Sequence, residues 1–336
     1  MEQDATPRWK LMAAEATGAI QGTAMEISVS KFELLKELTA TQGVVERKTT
    51  IPILSNFLFE AANDRLTITA TDLDLSLKTS CAAKVKREGA CTIPAQTLRN
   101  MIGRTIFAIS SEESRYTLNG GLMVLKPESI TMVATDGHRL AHIEKTGEQF
   151  DVSGENKTLV PKKAMGELFS LLQNTEADNI EFAKDESTLF FRIGERLLTS
   201  RQLTGQFPNY EAVLPRDTSK SVVVHGADLN TAIQRVAQFA DERSRAIRMK
   251  LDKNELKISS SSTEAGESED SIETAYAADP LTIGFNSEYL IDFLKAQSAG
   301  EVRLEFKDAQ SAGQMRPEDG SDDGFKYRYV VMPMRI

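Results

Sequence analysis

Apolar residues recur along this chain at two periods, and the two periods alternate in a repeating order. In SKFELLKEL (30–38), Phe32, Leu35 and Leu38 fall at helical spacing. Ser30 and Glu33 there fit a capping box, the serine accepting from the Glu33 amide and the glutamate reaching back. After Pro52, ILSNFLFEA (53–61) and RLTITATDLDLSLKTS (65–80) alternate with period two and predict strands. The order then returns. PAQTLRNMIGRTIFAIS (94–110) predicts a helix with Leu98, Ile102, Ile106 and Ile109 inward, followed by strands in RYTLNGGLMVLK (115–126) and SITMVATDGHRLAHIEK (129–145). A third copy runs from GADLNTAIQRVAQFADE (226–242) through AIRMKLDKNELKISSSS (246–262) to SIETAYAAD (271–279).

Second halves repeat too. LVPKKAMGELFSLL (159–172) and GFNSEYLIDFLKAQ (284–297) are amphipathic helices, each followed by strand patterns; Met165, Leu168, Phe169 and Leu172 form the inward stripe of the first. TATDLDL (69–75) and VATDGHRL (133–140) occupy equivalent places in successive copies. Repetition at long period governs the architecture and divides the chain into an extension (1–24), a short first unit (25–91), a second unit (92–215) and a third (216–336). The extension has no clear pattern and reads as a disordered tail, or as an upstream start ahead of Met25.

Composition narrows the function classes. No apolar run approaches the roughly 20 residues a membrane helix needs, and the N-terminus has no signal-peptide h-region. Two cysteines, Cys81 and Cys91, fit a reduced cytoplasmic protein better than a disulfide scaffold. The net charge of −9 argues against a protein basic all over, yet a local basic face can coexist with it.

Catalytic patterns are missing. There is no G-x-S-x-G, P-loop, G-x-G-x-x-G or EF-hand motif. His138 and His142 lie in a strand pattern, where positions four apart are about 13 Å from each other and cannot share an ion. Asp72 and Asp136 could be imagined as metal-binding nuclease carboxylates; the plainer reading places each at a turn or bulge between strands. The cations offer more. Arg47 and Lys48 sit in a loop, Lys162 and Lys163 open a helix, Arg99 and Arg235 face away from apolar stripes, and Arg201 follows a strand. Such residues, recurring in equivalent helices, could follow a phosphate backbone without reading bases. At the C-terminus, Val330 and Val331 fit a closing strand, whereas Met332, Pro333 and Met334 suit an adaptable surface.

TIPILSN (50–56), RYTLNG (115–120), VATDGHRLA (133–141), GQFPNYEAVLP (205–215) and YVVMPMRI (329–336) together resemble the bacterial sliding clamp, the β subunit of DNA polymerase III. The resemblance implies an α+β architecture of repeated clamp-type domains, with helices lining an inner face and antiparallel sheets outside. It implies a head-to-tail homodimer closed around duplex DNA without sequence preference. The clamp would be a non-catalytic subunit of a DNA-directed DNA polymerase, with no cofactor and no metal. It would tether the replicative polymerase's catalytic subunit and other clamp-motif proteins after opening by a clamp loader.

A partner-peptide pocket, suited to short motifs with Gln, Leu and Phe anchors, would involve Leu118, Thr135, Gly137, His138, Arg139, Leu140, Pro208, Val213, Val330, Val331, Met332, Pro333, Met334 and Arg335. His138 and Arg139 would shape its rim and offer donors, and Ala212 stands where some members carry Arg. Lys48, Lys162, Lys163 and Arg201 fall on family DNA-contact positions, and helix placement adds Arg99 and Arg235. One departure is large. The chain passes near CTIPAQTL (91–98) straight from the first unit's opening half into the second unit. The absent half would supply an edge strand for the ring interface, which predicts an intact pocket and impaired closure, or at the limit a clamp-like monomer.

Overall fold

The computed structural model describes residues 37, 39–41, 43–44, 54, 57–62, 65–79, 90–112, 114–150, 152, 154–185, 187–215, 217–263, 265–297, 300–318 and 324–335. The capping box at Ser30 and Glu33, the stripe Phe32, Leu35 and Leu38, the extension 1–24, Cys81 and Lys48 lie outside them. The chain forms two compact units. The first comprises the residues up to Arg99 with Phe150–Val152 and Lys163–Leu203, and the second the remainder.

The first unit is built on a seven-stranded antiparallel sheet. It contains β1 (Leu58–Ala62), β2 (Arg65–Thr71), β3 (Leu75–Thr79), β4 (Ala90–Pro94), β9 (Asn179–Lys184), β10 (Thr188–Ile193) and β11 (Arg196–Arg201), in the order β1-β2-β3-β11-β10-β9-β4. Alternation holds in β3, whose Leu75, Leu77 and Thr79 are buried between half-exposed Ser76 and Lys78. The span 65–80 forms two strands, because Thr71–Asp74 make the tight turn expected at Asp72.

The second unit holds two sheets. Its larger one contains β5 (Gly120–Lys126), β6 (Ser129–Thr135), β7 (Arg139–Thr146), β8 (Asn156–Pro161), β12 (Lys220–His225), β17 (Glu301–Phe306), β18 (Gly313–Pro317) and β19 (Phe325–Val331). Its order is β12-β17-β18-β19-β7-β6-β5-β8. The smaller holds β13 (Ala246–Asp252), β14 (Glu255–Ser262), β15 (Gly266–Glu273) and β16 (Leu281–Asn286), in the order β15-β14-β13-β16. β5 and β6 are buried on both faces over nearly their whole length, so their sequences lose the alternation a half-exposed strand shows.

Four α-helices over eight residues long occur among the described residues: α1 (Ala95–Gly103), α2 (Lys162–Gln173), α3 (Gly226–Ala237) and α4 (Ser287–Ala296). Each follows a strand directly, as β4, β8, β12 and β16 do here. α1 is shorter than the periodicity suggested. Leu98 and Ile102 are buried in it, but the helix stops at Gly103, Ile106 enters a separate 3-10 turn and Ile109 is buried in extended backbone. In α2, Met165, Leu168 and Leu172 are buried as expected; Leu171 joins them while Phe169 stays half-exposed. α4 is capped by Asn286, whose Oδ1 accepts from the Glu288 amide at 2.9 Å.

His138 precedes β7 in a turn, so only His142 is a strand residue. His142 lies opposite Arg328 of β19, and its ring is 5.6 Å from that of Tyr210. Burial, reinforced by the Arg328 charge and opposed by Glu211, pulls its pKa down to about 4. The unfolded chain then binds a proton that the folded chain refuses, so this residue's contribution is complete above its ordinary value of 6.5 and fades as pH falls towards 4. Denaturant unfolding at both ends of that window is expected to show His142→Asn losing less stability on acidification than the parent, by up to about 3 kcal/mol. Parallel losses in the two proteins would contradict it.

Candidate functional site

Two turns share one set of hydrogen bonds. In the second repeat, Asp136 Oδ1 accepts from the amides of His138 (2.9 Å) and Arg139 (3.0 Å), while Thr135 Oγ1 donates to the Arg139 carbonyl (2.6 Å) and accepts from the Gly137 amide (3.0 Å). In the first repeat, Asp72 Oδ1 accepts from Asp74 (3.1 Å) and Leu75 (2.6 Å), and Thr71 Oγ1 donates to the Leu75 carbonyl and accepts from the Leu73 amide. Short polar side chains hold the backbone in a sharp reversal between strands. The residue after each aspartate takes a left-handed conformation, φ 92° at Gly137 and φ 80° at Leu73. Glycine does so without strain and leucine does not. Both aspartates are therefore turn residues, and no group of three or more metal-ligating side chains occurs among the described residues.

The second turn meets the end of the chain. β7 pairs with β19, setting Leu140 opposite Val330 and Arg139 opposite Val331. The Met332 amide then donates to the His138 carbonyl at 2.9 Å, and that of Met334 to the Gly284 carbonyl at 2.8 Å. Thr135, Leu140, Val330 and Val331 are buried, and Met332 and Val213 expose 45% and 43% of their surface. Pro333 and Met334 are half-buried, while His138, Pro208 and Arg335 are exposed. Leu118 ends a 3-10 turn, Tyr116–Leu118. A Cβ on Gly205 would come within 2.6 Å of Thr117 Cγ2, so the segment leading to Pro208 passes directly against that turn. Arg328 Nη2 fastens the far end of the segment by donating to the Pro215 carbonyl at 2.8 Å. The expected pocket residues thus fall within one unit. A cavity of about 340 Å³ lined by Ala212–Pro215, Asp217, Lys307, Ser311 and Ala312 shares only Val213 with them.

Arg139, expected to shape the rim and offer donors, spends three of them within the protein. Its Nε donates to Asp136 Oδ2 (3.0 Å), Nη1 to Asp292 Oδ2 (2.6 Å) and Nη2 to the Phe107 carbonyl (2.8 Å), and its guanidinium lies 4.4 Å from the centre of the Tyr289 ring. It rivets the turn to α4. Beneath it, Phe293 stacks on Tyr327 and Tyr329, whose hydroxyls donate to the Arg104 and Tyr289 carbonyls. Sequence reasoning missed Phe107, Tyr289 and Asp292, which carry no local motif. It also missed Arg115, whose Nη1 donates to the Asp136 carbonyl at 2.8 Å and which lies inside the recognised RYTLNG.

The cations are less free than expected. Lys163 pairs with Asp72, Arg201 lies 3.7 Å from Asp74, Arg235 lies 2.9 Å from Asp270, and Lys162 reaches the Ile109 carbonyl. Arg99 is half-buried, with no ion-pair partner among the described residues.

Family models of the DNA polymerase III beta subunit match the chain three times: the N-terminal domain at residues 25–106, the central domain at 92–209 and the C-terminal domain at 211–335. The beta sliding clamp of Caulobacter vibrioides (strain NA1000 / CB15N) is 30% identical over 381 residues, covering 93% of this chain and all of that protein. That of Pseudomonas putida KT2440 is 31% identical over 375 residues with the same coverage. Among solved structures, a Pseudomonas aeruginosa sliding clamp bound to griselimycin superposes with a TM-score of 0.83 at 30% identity, covering 92% of this chain and 98% of that one. The Thermotoga maritima beta subunit gives 0.83 at 25% identity, with the same coverage of both chains. With its repeated α+β units, the chain belongs to the bacterial beta sliding clamps, the non-catalytic processivity factors of DNA polymerase III.

Proposed function

We propose that this clamp holds partner proteins by a short peptide laid in the notch between the Thr135–Leu140 turn and Met332–Arg335, and holds duplex DNA through Lys48, Lys162, Lys163, Arg201, Arg99 and Arg235 without reading bases. Replicative polymerase, clamp loader and other clamp-motif proteins are the partners, and the cytoplasm the compartment. The observation that carries the notch is the bond from the Met332 amide to the His138 carbonyl. It keeps a tail of apolar side chains beside a rigid turn, so little ordering is required when a peptide binds. No covalent chemistry is involved: tethering raises the partner's local concentration at DNA.

A second feature concerns the ring. The alignment to the Caulobacter clamp runs to 381 positions, whereas 93% of this 336-residue chain is about 312, so roughly 70 positions of the relative face no residue here. This supports a first clamp domain, 25–91, that lacks its second half. Loss of that half removes sheet surface on which a second copy would close.

Three outcomes are expected. Met332→Ser with Val213→Ser, both at exposed positions, weakens binding of a synthetic peptide with Gln, Leu and Phe anchors about tenfold in calorimetry; unchanged affinity would place the peptide elsewhere. Arg139→Ala lowers unfolding stability by about 2–4 kcal/mol, by stranding Asp136 and Asp292, while His138→Ala stays within about 0.5 kcal/mol. Light scattering of the purified chain gives a monomer mass at micromolar concentration, and a persistent dimer there would show that closure survives.

A further inference from the structure

Three of the described candidate DNA cations are each engaged by an aspartate of their own unit: Lys163 by Asp72, Arg201 by Asp74 and Arg235 by Asp270. The two turns explain how the first pair arises. In the second repeat, Asp136 spends Oδ1 on turn amides and Oδ2 on Arg139, three residues along. The first repeat has Leu75 at the place of Arg139. Asp72 builds the same turn with Oδ1, but its Oδ2 has no neighbour of its own and takes Lys163, the second residue of α2. Glu167, one helical turn along α2, is pushed above its ordinary value by burial, opposed by Lys163 and aided by Asp72.

We propose that Asp72 and Asp74 act as built-in competitors of DNA phosphate, each keeping a clamp cation partly neutralised and thereby loosening the hold on duplex DNA. This deepens the reading that Lys163 and Arg201 contact duplex DNA, and rests on it. When Lys163 turns to a phosphate, Asp72 loses its cation. Asp72 exposes only 7% of its side chain, so stranding its charge opposes the exchange strongly. Asp74 exposes 78%, and water compensates it at once. The two aspartates are thus unequal, and Asp72 sets the larger handicap. The consequence is a weak, easily renewed grip of the kind that base-independent sliding requires.

Asparagine makes the test clean, because Asp72→Asn keeps Oδ1 as the acceptor for the turn and removes only the charge. Binding of a fluorescent linear duplex of about 30 base pairs is measured by anisotropy over roughly 25–200 mM salt, with melting temperature as a check on folding. Asp72→Asn should tighten binding roughly three- to tenfold at low salt and steepen the log–log salt slope by up to about 0.9, one further phosphate contact. Asp74→Asn, which cannot disturb a buried group, should tighten it by less than about twofold. In a Lys163→Ala background the gain from Asp72→Asn should vanish. If Asp72→Asn leaves affinity unchanged, or tightens it equally without Lys163, the competitor role is overturned. If Lys163→Ala and Arg201→Ala do not weaken binding at all, the DNA assignment of those residues fails instead.

Discussion

A carboxylate oxygen that accepts two consecutive backbone amides is the constraint on which this molecule depends. It closes the Thr-Asp turn, aligns the strand before it with the strand after it, and sets the register by which each hairpin joins the next group of strands. At β3 and β11 this brings Leu75 opposite Ser200; at β7 and β19 it brings Arg139 opposite Val331. Each junction ends in the same way, with a backbone amide at or just past the end of the last strand donating back to the turn, from Arg201 to Asp74 and from Met332 to His138, both at 2.9 Å. One device, used twice, makes a continuous sheet out of strand groups far apart in the chain.

What distinguishes the two copies is the second oxygen. At Asp136 it meets Arg139, and through that guanidinium it reaches Asp292 and the Phe107 carbonyl, over a floor of stacked aromatic rings. The turn is tied on both sides, and the tail beside it is held in place by the Met332 amide. At Asp72 the second oxygen meets Lys163. There the same turn becomes an electrostatic element. Leucine in place of arginine three residues along leaves the aspartate's second oxygen to a cation from α2 rather than to one from its own turn.

The elements of this fold were largely legible in the chain itself. Alternation in β3 and the apolar stripes of α2 and α3 reflect burial on one face, which a local pattern records. Where burial was two-sided, as in β5 and β6, or where a helix gave way to a 3-10 turn after Gly103, local periodicity carried no such record. The repeated TATDLDL and VATDGHRL marked equivalent turns correctly, because an aspartate that caps a turn acts on amides two and three residues away.

By itself, then, the order of residues determined the repeats, the helices and strands, the turns and the resemblance of the C-terminal segments to a peptide-binding clamp, all matters settled within about ten positions of chain. Only the tertiary structure decided which charges are free. Arg139 and Asp292 are 153 residues apart, and Lys163 and Asp72 are 91. Nothing in their local sequence says that they meet. An exposed cation and a neutralised one have the same neighbours along the chain, and they differ only in what folding places within reach of a hydrogen bond.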